Sequence, residues 1–280
     1  MNPRLFCEAS GTPVWRPGED FSLPPTAARH VQVLRLQPGS GLTLFNGSGG
    51  QWQAAVLRMG HQEVVVRLLS HEAVERELPL AVTLAVGMPA NDRMDDLVEK
   101  ATELGVRAIV PLVSERSVLR LTGERAAKRR GHWQAVAASA SEQCGRNRVP
   151  TVHPVQGLDA FLEHRPADEV SARWQLSLAP TASPLVQAWA HCSLLISLKA
   201  GAHLYILSGP EGGLSAGEQA RAQQAGYHPI SLGPRTLRAD TAPLAALAAL
   251  AAMSALAEQA APEAHEAMGC GRAEPTGAAS

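Results

Sequence analysis

The fold is decided between His203 and Leu247, HLYILSGPEGGLSAGEQARAQQAGYHPISLGPRTLRADTAPLAAL. Within this stretch one event occurs twice: an apolar strand runs into a glycine-containing loop and on toward a helix. Leu204–Leu207 enters Gly209-Pro210-Glu211-Gly212-Gly213, and Ile230–Leu232 enters Gly233-Pro234-Arg235. Glycine permits positive φ and lets a ligand approach the main chain with no Cβ in the way. Pro210 and Pro234 fix the turns and cannot continue a strand ladder. Ser215 followed by Glu218 reads as a capping box that opens the next helix. Two such loops at neighbouring strand ends form a concave wall of backbone amides and carbonyls, suited to a small ligand. Either loop alone is equally an ordinary strand-to-helix connection; their pairing carries the reading.

Working outward, strands alternate with helices from residue 80 onward. Strands are expected over Leu80–Val86, Arg107–Val113, Val149–Val155, Trp174–Ala179, Leu204–Leu207 and Pro229–Leu232, with helices over Asp92–Leu104 and Glu124–Gln143. Met94, Leu97, Val98, Ala101 and Leu104 recur at helical spacing, and Gly105 suits the stop. Such alternation predicts a parallel α/β sheet with ligands at the carboxyl ends of the strands. Residues 1–72 read differently, as short strands around a helix near Thr26–Leu36. Asn46-Gly47 between Leu42–Phe45 and Trp52–Leu57 is a hairpin signal. A phosphate-loop reading of Gly47–Gly50 fails because strand, not helix, follows. The expected organisation is a small β-barrel over 1–72, a linker over 73–79, an α/β domain over 80–257, and a disordered tail over 258–280, rich in Ala, Gly, Pro and Glu.

Composition bounds the function. Apolar residues make up 45% and charged residues 18% of 280, as in a soluble globular protein. A net charge of −1 gives no global nucleic-acid signature. Lys100, Lys128 and Lys199 are the only lysines, so nearly all positive charge is arginine, which suits bidentate phosphate contacts and equally reflects a coding bias. Cys7, Cys144, Cys192 and Cys270 are scattered without a CxxC pair; no zinc site or disulfide framework is indicated, which fits a reducing cytoplasm. No signal peptide is apparent, and the apolar run Ala242–Ala257 is too short to span a bilayer.

GPEGG followed by LGPRTLRADTA resembles the SPOUT (α/β-knot) methyltransferases, most closely the branch that methylates N3 of a uridine in 16S ribosomal RNA. Ser114-Glu115-Arg116-Ser117 and Glu142-Gln143-Cys144-Gly145-Arg146-Asn147-Arg148 extend the resemblance over about residues 1–250. It implies a C-terminal trefoil-knotted parallel-sheet domain preceded by a small PUA-like β-barrel. It also implies S-adenosylmethionine as cofactor, 16S RNA or the 30S subunit as partner, and a homodimer packed through knot-domain helices. Neither DNA, a membrane nor a metal is implied. Cofactor contacts fall on Leu178 and Ala179, on Leu207, Ser208, Gly209, Glu211, Gly212 and Gly213, and on Leu232, Gly233, Arg235 and Leu237. Arg4, His30 and Arg35 in the first module, and Arg116, Arg120, Arg146 and Arg148 near the catalytic mouth, are candidates for RNA contact; solvated surface is the bland alternative. The chain departs from the family at Asp240, where the pattern commonly has Glu before the Thr.

The chemistry names further roles. Uracil N3 must lose an imide proton as it accepts a methyl, and the charge spreads onto O2 and O4. Arg235 and Arg238 are the candidates to stabilise it. Glu211 or Asp240 could accept the proton, although Glu211 could equally orient the loop and Asp240 cap the last helix. Two other functions stay open: modification of another ribosomal or transfer RNA position, and a non-catalytic RNA-binding assembly factor.

Overall fold

The computed structural model describes residues 2–8, 15–60, 63–90, 93–163, 171–190 and 202–269. Cys192, Lys199, Cys270 and the tail from 270 onward lie outside the described residues. Of the other cysteines, Cys7 is buried and Cys144 half-buried, both as free thiols.

The N-terminal unit comprises β1 (Arg4–Phe6), β2 (Asp20–Ser22), α1 (Pro25–Val33), β3 (Gly41–Phe45), β4 (Gln51–Met59) and β5 (Val64–Glu72). They form one five-stranded sheet in the order β1-β3-β4-β5-β2, antiparallel except for β1 beside β3. The hairpin forms where Asn46-Gly47 stands. Asn46 Oδ1 accepts from Ser48 N at 3.0 Å, and Gly47 takes φ 84°, which a side chain would resist. Leu5, Leu42, Leu44, Val64, Val66 and Leu68 alternate onto one face and bury against Ala27, Ala28 and Val31 of α1.

The second unit runs β6 (Ala81–Gly87), α2 (Arg93–Glu103), β7 (Ala108–Val113), α3 (Gly123–Cys144), β8 (Thr151–Val152), β9 (Gln156–Gly157), α4 (Leu158–Glu163), β10 (Ser171–Leu176), β11 (Ser183–Pro184), β12 (His203–Ser208), α5 (Ala216–Gln224), β13 (His228–Ser231) and α6 (Thr241–Gly269). All pairings are parallel, in the order β11-β13-β10-β12-β6-β7-β8, with β9 also on β7. Strands buried on both faces read as continuous apolar runs, and Val82–Val86 is one, interrupted only by Thr83. One face packs Val82, Leu84, Ile109, Leu204 and Ile206 under α2, α3 and α6. The other packs Ala85, Val110, Leu112 and Leu207 under α4 and α5. Gly105 ends α2 at φ 93°, its N–H on Thr102 O.

Three expectations are corrected. The strand expected over Val149–Val155 shrinks to Thr151–Val152, with a second two-residue strand at Gln156–Gly157 just beyond it, because Pro150 and Pro154 have no N–H to give a ladder. The strand expected to run to Ala179 ends at Leu176. Ser177 N still reaches Ile230 O, but Ala179 N then turns back onto Ser177 Oγ at 3.1 Å. The last helix runs to Gly269, past the expected start of disorder at 258, since Ala, Glu, Gln and Met are good helix formers.

Residues 73–79 do not behave as a free linker. Glu77 pairs with Arg146, Glu75 Oε2 lies 3.3 Å from Arg148 Nε, and Arg76 Nη1 donates to Gly145 O at 2.9 Å. Arg4 completes the clamp, donating to Gln51 Oε1 at 2.6 Å, Asn147 Oδ1 at 2.8 Å and Arg146 O at 3.0 Å. Phe6 N donates to Glu142 Oε1 at 2.7 Å. These contacts fix the small sheet against the C-terminal end of α3.

Glu142 makes this joint pH-sensitive. Burial raises its pKa above the ordinary value of 4.5, against the opposing pull of the Phe6 N–H and of His30 and Arg4. A carboxyl raised in the folded state adds stability in acid, which is lost as pH rises through the folded pKa. Glu142→Gln keeps an acceptor for Phe6 N–H and removes the titration. Its thermal midpoint should therefore fall less than the wild type's as pH rises from 4.5. Parallel midpoint–pH curves for the two proteins would contradict this.

Candidate active site

Three strand ends meet around one cavity of about 690 Å³. Ser177 and Leu178 follow β10, Ser208 ends β12 and Gly209–Leu214 follow it, and Leu232–Ala239 join β13 to α6. The GPEGG loop folds tightly on itself: Gly213 N donates to Pro210 O at 2.8 Å, and a Cβ at Gly209 would lie 2.9 Å from Gly213 C. Gly213 sits at φ 66°, and a Cβ there would meet no protein atom within 4 Å; it would project into open space.

The turn after β7 holds this loop from outside. Arg116 Nη1 donates to Gly212 O at 2.9 Å, and Arg120 Nη2 braces the turn on Glu115 O at 2.8 Å. Glu218 is 1% exposed and serves two elements at once. Its Oε2 accepts from Ser215 N at 2.8 Å, closing the capping box of α5, while Oε1 accepts from Glu115 N at 2.8 Å. The serine–glutamate signal therefore does more than start a helix; it ties the Ser114–Ser117 turn to the glycine loop.

Most expected cofactor residues line the cavity: Leu178, Ser208, Gly209, Glu211, Gly212, Gly213, Leu232, Gly233, Arg235 and Leu237. Arg238 joins them from the last loop; Arg235 and Arg238 are both exposed. Leu207 does not, because it lies fully buried in the core beneath α5. Ala179 also lies off the wall, beyond the turn at Ser177. Glu211 faces the cavity but is engaged, accepting from Ala90 N at 2.9 Å with Arg93 Nη1 at 3.7 Å. That geometry is the loop-orienting one of its two readings. Asp240 stands outside the cavity, with Oδ1 on Thr241 N at 3.0 Å at the start of α6.

Gln175 escaped the sequence reading. It is 2% exposed, lies in the cavity wall, and its Oε1 has no hydrogen-bond partner among the described residues. Its signal was a lone amide inside an apolar strand, Trp174-Gln175-Leu176. Such an acceptor costs about 1–3 kcal/mol unless something donates to it.

The RNA candidates divide by geometry. Arg146 is 3% exposed and spends its guanidinium on Glu77 and on Thr102 O, so it has no face to offer a phosphate. Arg4 is likewise committed to the interdomain clamp, and Arg148 pairs with Glu75. Arg35 is exposed on the small unit, with φ 53°. His30 Nδ1 lies 3.8 Å from Glu142. Arg116 lines the cavity, and Arg120 is exposed on the turn it braces. Among the described residues no group of three His, Cys, Asp or Glu side chains could hold a metal, and no helix is long and apolar enough to cross a membrane.

The parallel sheet encloses a small-molecule cavity with its strand-end loops and is joined to a small β module. Residues 76–251 match the RNA methyltransferase domain family and residues 23–69 the RNA methyltransferase PUA domain family. Ribosomal RNA small subunit methyltransferase E of Bacillus subtilis is 32% identical over 80% of this chain and 86% of its own. That of Synechocystis is 34% identical over 78% of this chain and 68% of its own. Among solved structures, the Neisseria gonorrhoeae enzyme of that name, bound to S-adenosyl methionine, superposes with a TM-score of 0.79 at 33% identity, over 90% of this chain and 98% of its own. A putative methyltransferase of Legionella pneumophila in complex with the bound cofactor SAM gives the same values. The chain belongs to the ribosomal RNA small subunit methyltransferase E family.

Proposed function

We propose that this chain transfers a methyl group from S-adenosylmethionine to N3 of one uridine of 16S ribosomal RNA, as a cytoplasmic, knotted homodimer acting on the small subunit. The observation that carries the proposal is the cavity itself: two glycine loops and leucine side chains on its walls, with Arg235 and Arg238 in the same enclosure.

The residues fit the cofactor. The volume lies in the range of small-molecule sites. Leu178, Leu232 and Leu237 offer apolar surface to a flat base, and the orphaned Oε1 of Gln175 offers an acceptor to an amine. S-adenosylmethionine, when bound, supplies an electrophilic sulfonium methyl. The protein's part is orientation and stabilisation of the nucleophile. Arg235 and Arg238 donate to the uracil carbonyl oxygens as N3 gives up its proton, so their hold strengthens toward the transition state. Glu211 keeps the glycine loop against Ala90 and acts as a positioning residue. With Glu211 engaged and Asp240 outside the cavity, the N3 proton leaves to solvent at the mouth. The target uridine must be splayed out of its RNA stack to enter.

Arg35, Arg116 and Arg120 are the arginines this reading assigns to RNA phosphates. Each phosphate contact contributes roughly 0.9 to the slope of log affinity against log salt. Arg35→Ala should flatten the slope by about that amount and leave cofactor affinity unchanged; an unaltered slope would make Arg35 ordinary surface. The function is tested by offering labelled S-adenosylmethionine with 16S RNA, 23S RNA, transfer RNA and small subunits. Label should enter only the 16S species. Label in transfer RNA, or in nothing despite cofactor binding, would favour the other two functions.

A further inference from the structure

A second cavity, of about 590 Å³, lies at the opposite end of the same sheet. Ligands of open α/β sheets ordinarily sit at the carboxyl ends of the strands, where the methyl-transfer cavity is. This one lies at the amino ends. The strand register explains its composition. Arg173, Tyr205, Thr83 and Ala108 are consecutive cross-strand partners on β10, β12, β6 and β7, so they form one row on one face. One step toward the carboxyl ends, the same face is Leu207, Ala85 and Val110, packed under α4 and α5. The opposite face at these levels is apolar as well, with Trp174, Leu204, Val82 and Ile109. Gln175, the β10 member of that next row, lines the methyl-transfer cavity, whereas Arg173, His203, Tyr205 and Thr83 gather at the amino ends around the second cavity.

The row belongs to a built wall rather than a frayed edge. Thr83 and Tyr227 are 4% and 5% exposed, and Phe161 of α4 is 9% exposed. Thr83 Oγ1 lies 2.8 Å from His203 Nε2 and sets the ring's orientation; His203 stacks on Tyr205 at 4.4 Å between centroids, 6° from parallel. The Arg173 guanidinium sits 5.9 Å from the Tyr205 ring centroid. Phe161 and Tyr227 close the apolar side, 6.3 Å apart. Burial pushes the Tyr227 phenol well above its ordinary range, so it stays a neutral donor. Arg107, Arg173, His153 and His203 all line the cavity, and no described lining residue is a carboxylate.

Two guanidinium groups with no carboxylate among the described lining residues select an anion, and planar forks favour the oxygens of a phosphate over a spherical ion. Aromatic side chains beside them favour a ligand with a flat ring. We propose that this cavity binds a nucleotide, with its phosphate on Arg107 and Arg173 and its base against Phe161 and Tyr227. The same chemistry is presented by a free nucleotide and by the 5′ end of an RNA strand.

Calorimetric titration of the full chain, preloaded with S-adenosylmethionine, with uridine 5′-monophosphate, uridine and inorganic phosphate tests this. The monophosphate should bind more tightly than either part. Arg107→Ala and Arg173→Ala should each weaken it about ten- to a hundredfold, the loss expected for a charge-assisted hydrogen bond. Arg238→Ala, at the other cavity, should leave this binding unchanged. Arg107 is exposed, so its variant keeps the test open should Arg173→Ala fail to fold. A 5′-phosphorylated oligouridylate that competes with the monophosphate would assign an RNA end, and one that does not would assign a free nucleotide. No saturable binding, phosphate binding as tightly as the monophosphate, or arginine variants that bind like wild type would each overturn the proposal.

Discussion

Arg238→Ala is expected to slow methyl transfer by about 10²–10³-fold while leaving S-adenosylmethionine affinity nearly unchanged. The side chain lines the cavity from the loop that enters α6, and it is exposed there. Its backbone is fixed independently, because Arg238 O accepts from Ala242 N at 2.9 Å in the first turn of the helix. Truncating the side chain therefore removes a donor without removing that anchor. If the guanidinium acts on the uracil carbonyls, its contribution grows only as charge develops, so kcat falls and cofactor affinity does not. Arg238→Lys should recover little, since a point charge cannot reproduce the planar fork. Single-turnover methylation, calorimetry and melting on one preparation separate the outcomes. Lost cofactor binding with a lower melting point would make Arg238 a brace for the loop, and full activity would leave it no role.

Gly213→Val should bring S-adenosylmethionine binding below detection in a protein that still unfolds cooperatively. Gly213 lines the cavity, and an added Cβ would touch no protein atom within 4 Å, so the new side chain fills ligand space rather than pushing the loop apart. The backbone angle adds a separate cost. At φ 66° a β-branched residue is strained, by roughly 1–3 kcal/mol. Gly226→Val isolates that cost. Gly226 also has positive φ, at 87°, and open space at its Cβ, but it follows α5 and does not line the cavity. The two variants should lose comparable stability, and only Gly213→Val should lose the cofactor. Equal cofactor affinity in both would remove the GPEGG loop from the binding wall.

The sequence was most legible where one residue type has one physical use. Asn46-Gly47 gave the hairpin, Gly105 the end of α2, and Ser215 with Glu218 the capping box. The apolar strands and the spacing of the two glycine loops gave the sheet and the cavity's position. Roles that depend on distant partners were not legible. Arg146 is a candidate for RNA contact by its sequence, but Glu77, far away in sequence, holds it in a buried clamp. Glu211 and Asp240 were equivalent as carboxylates; Ala90 N and Thr241 N separate them. Gln175 gave only a weak signal, since a polar residue in a strand does not reveal which cavity it faces. The row of Arg173, Tyr205 and Thr83 is invisible without strand register.

The most direct test of the account is the chemical identity of the product. Small subunits lacking the modification are incubated with the purified chain and S-adenosylmethionine, and the 16S RNA is digested to nucleosides for mass spectrometry against authentic standards. The account predicts 3-methyluridine as the new nucleoside, arising from a single position. A methyl on ribose, on C5 or on any other base, or no methylated nucleoside from protein that binds the cofactor, would contradict it.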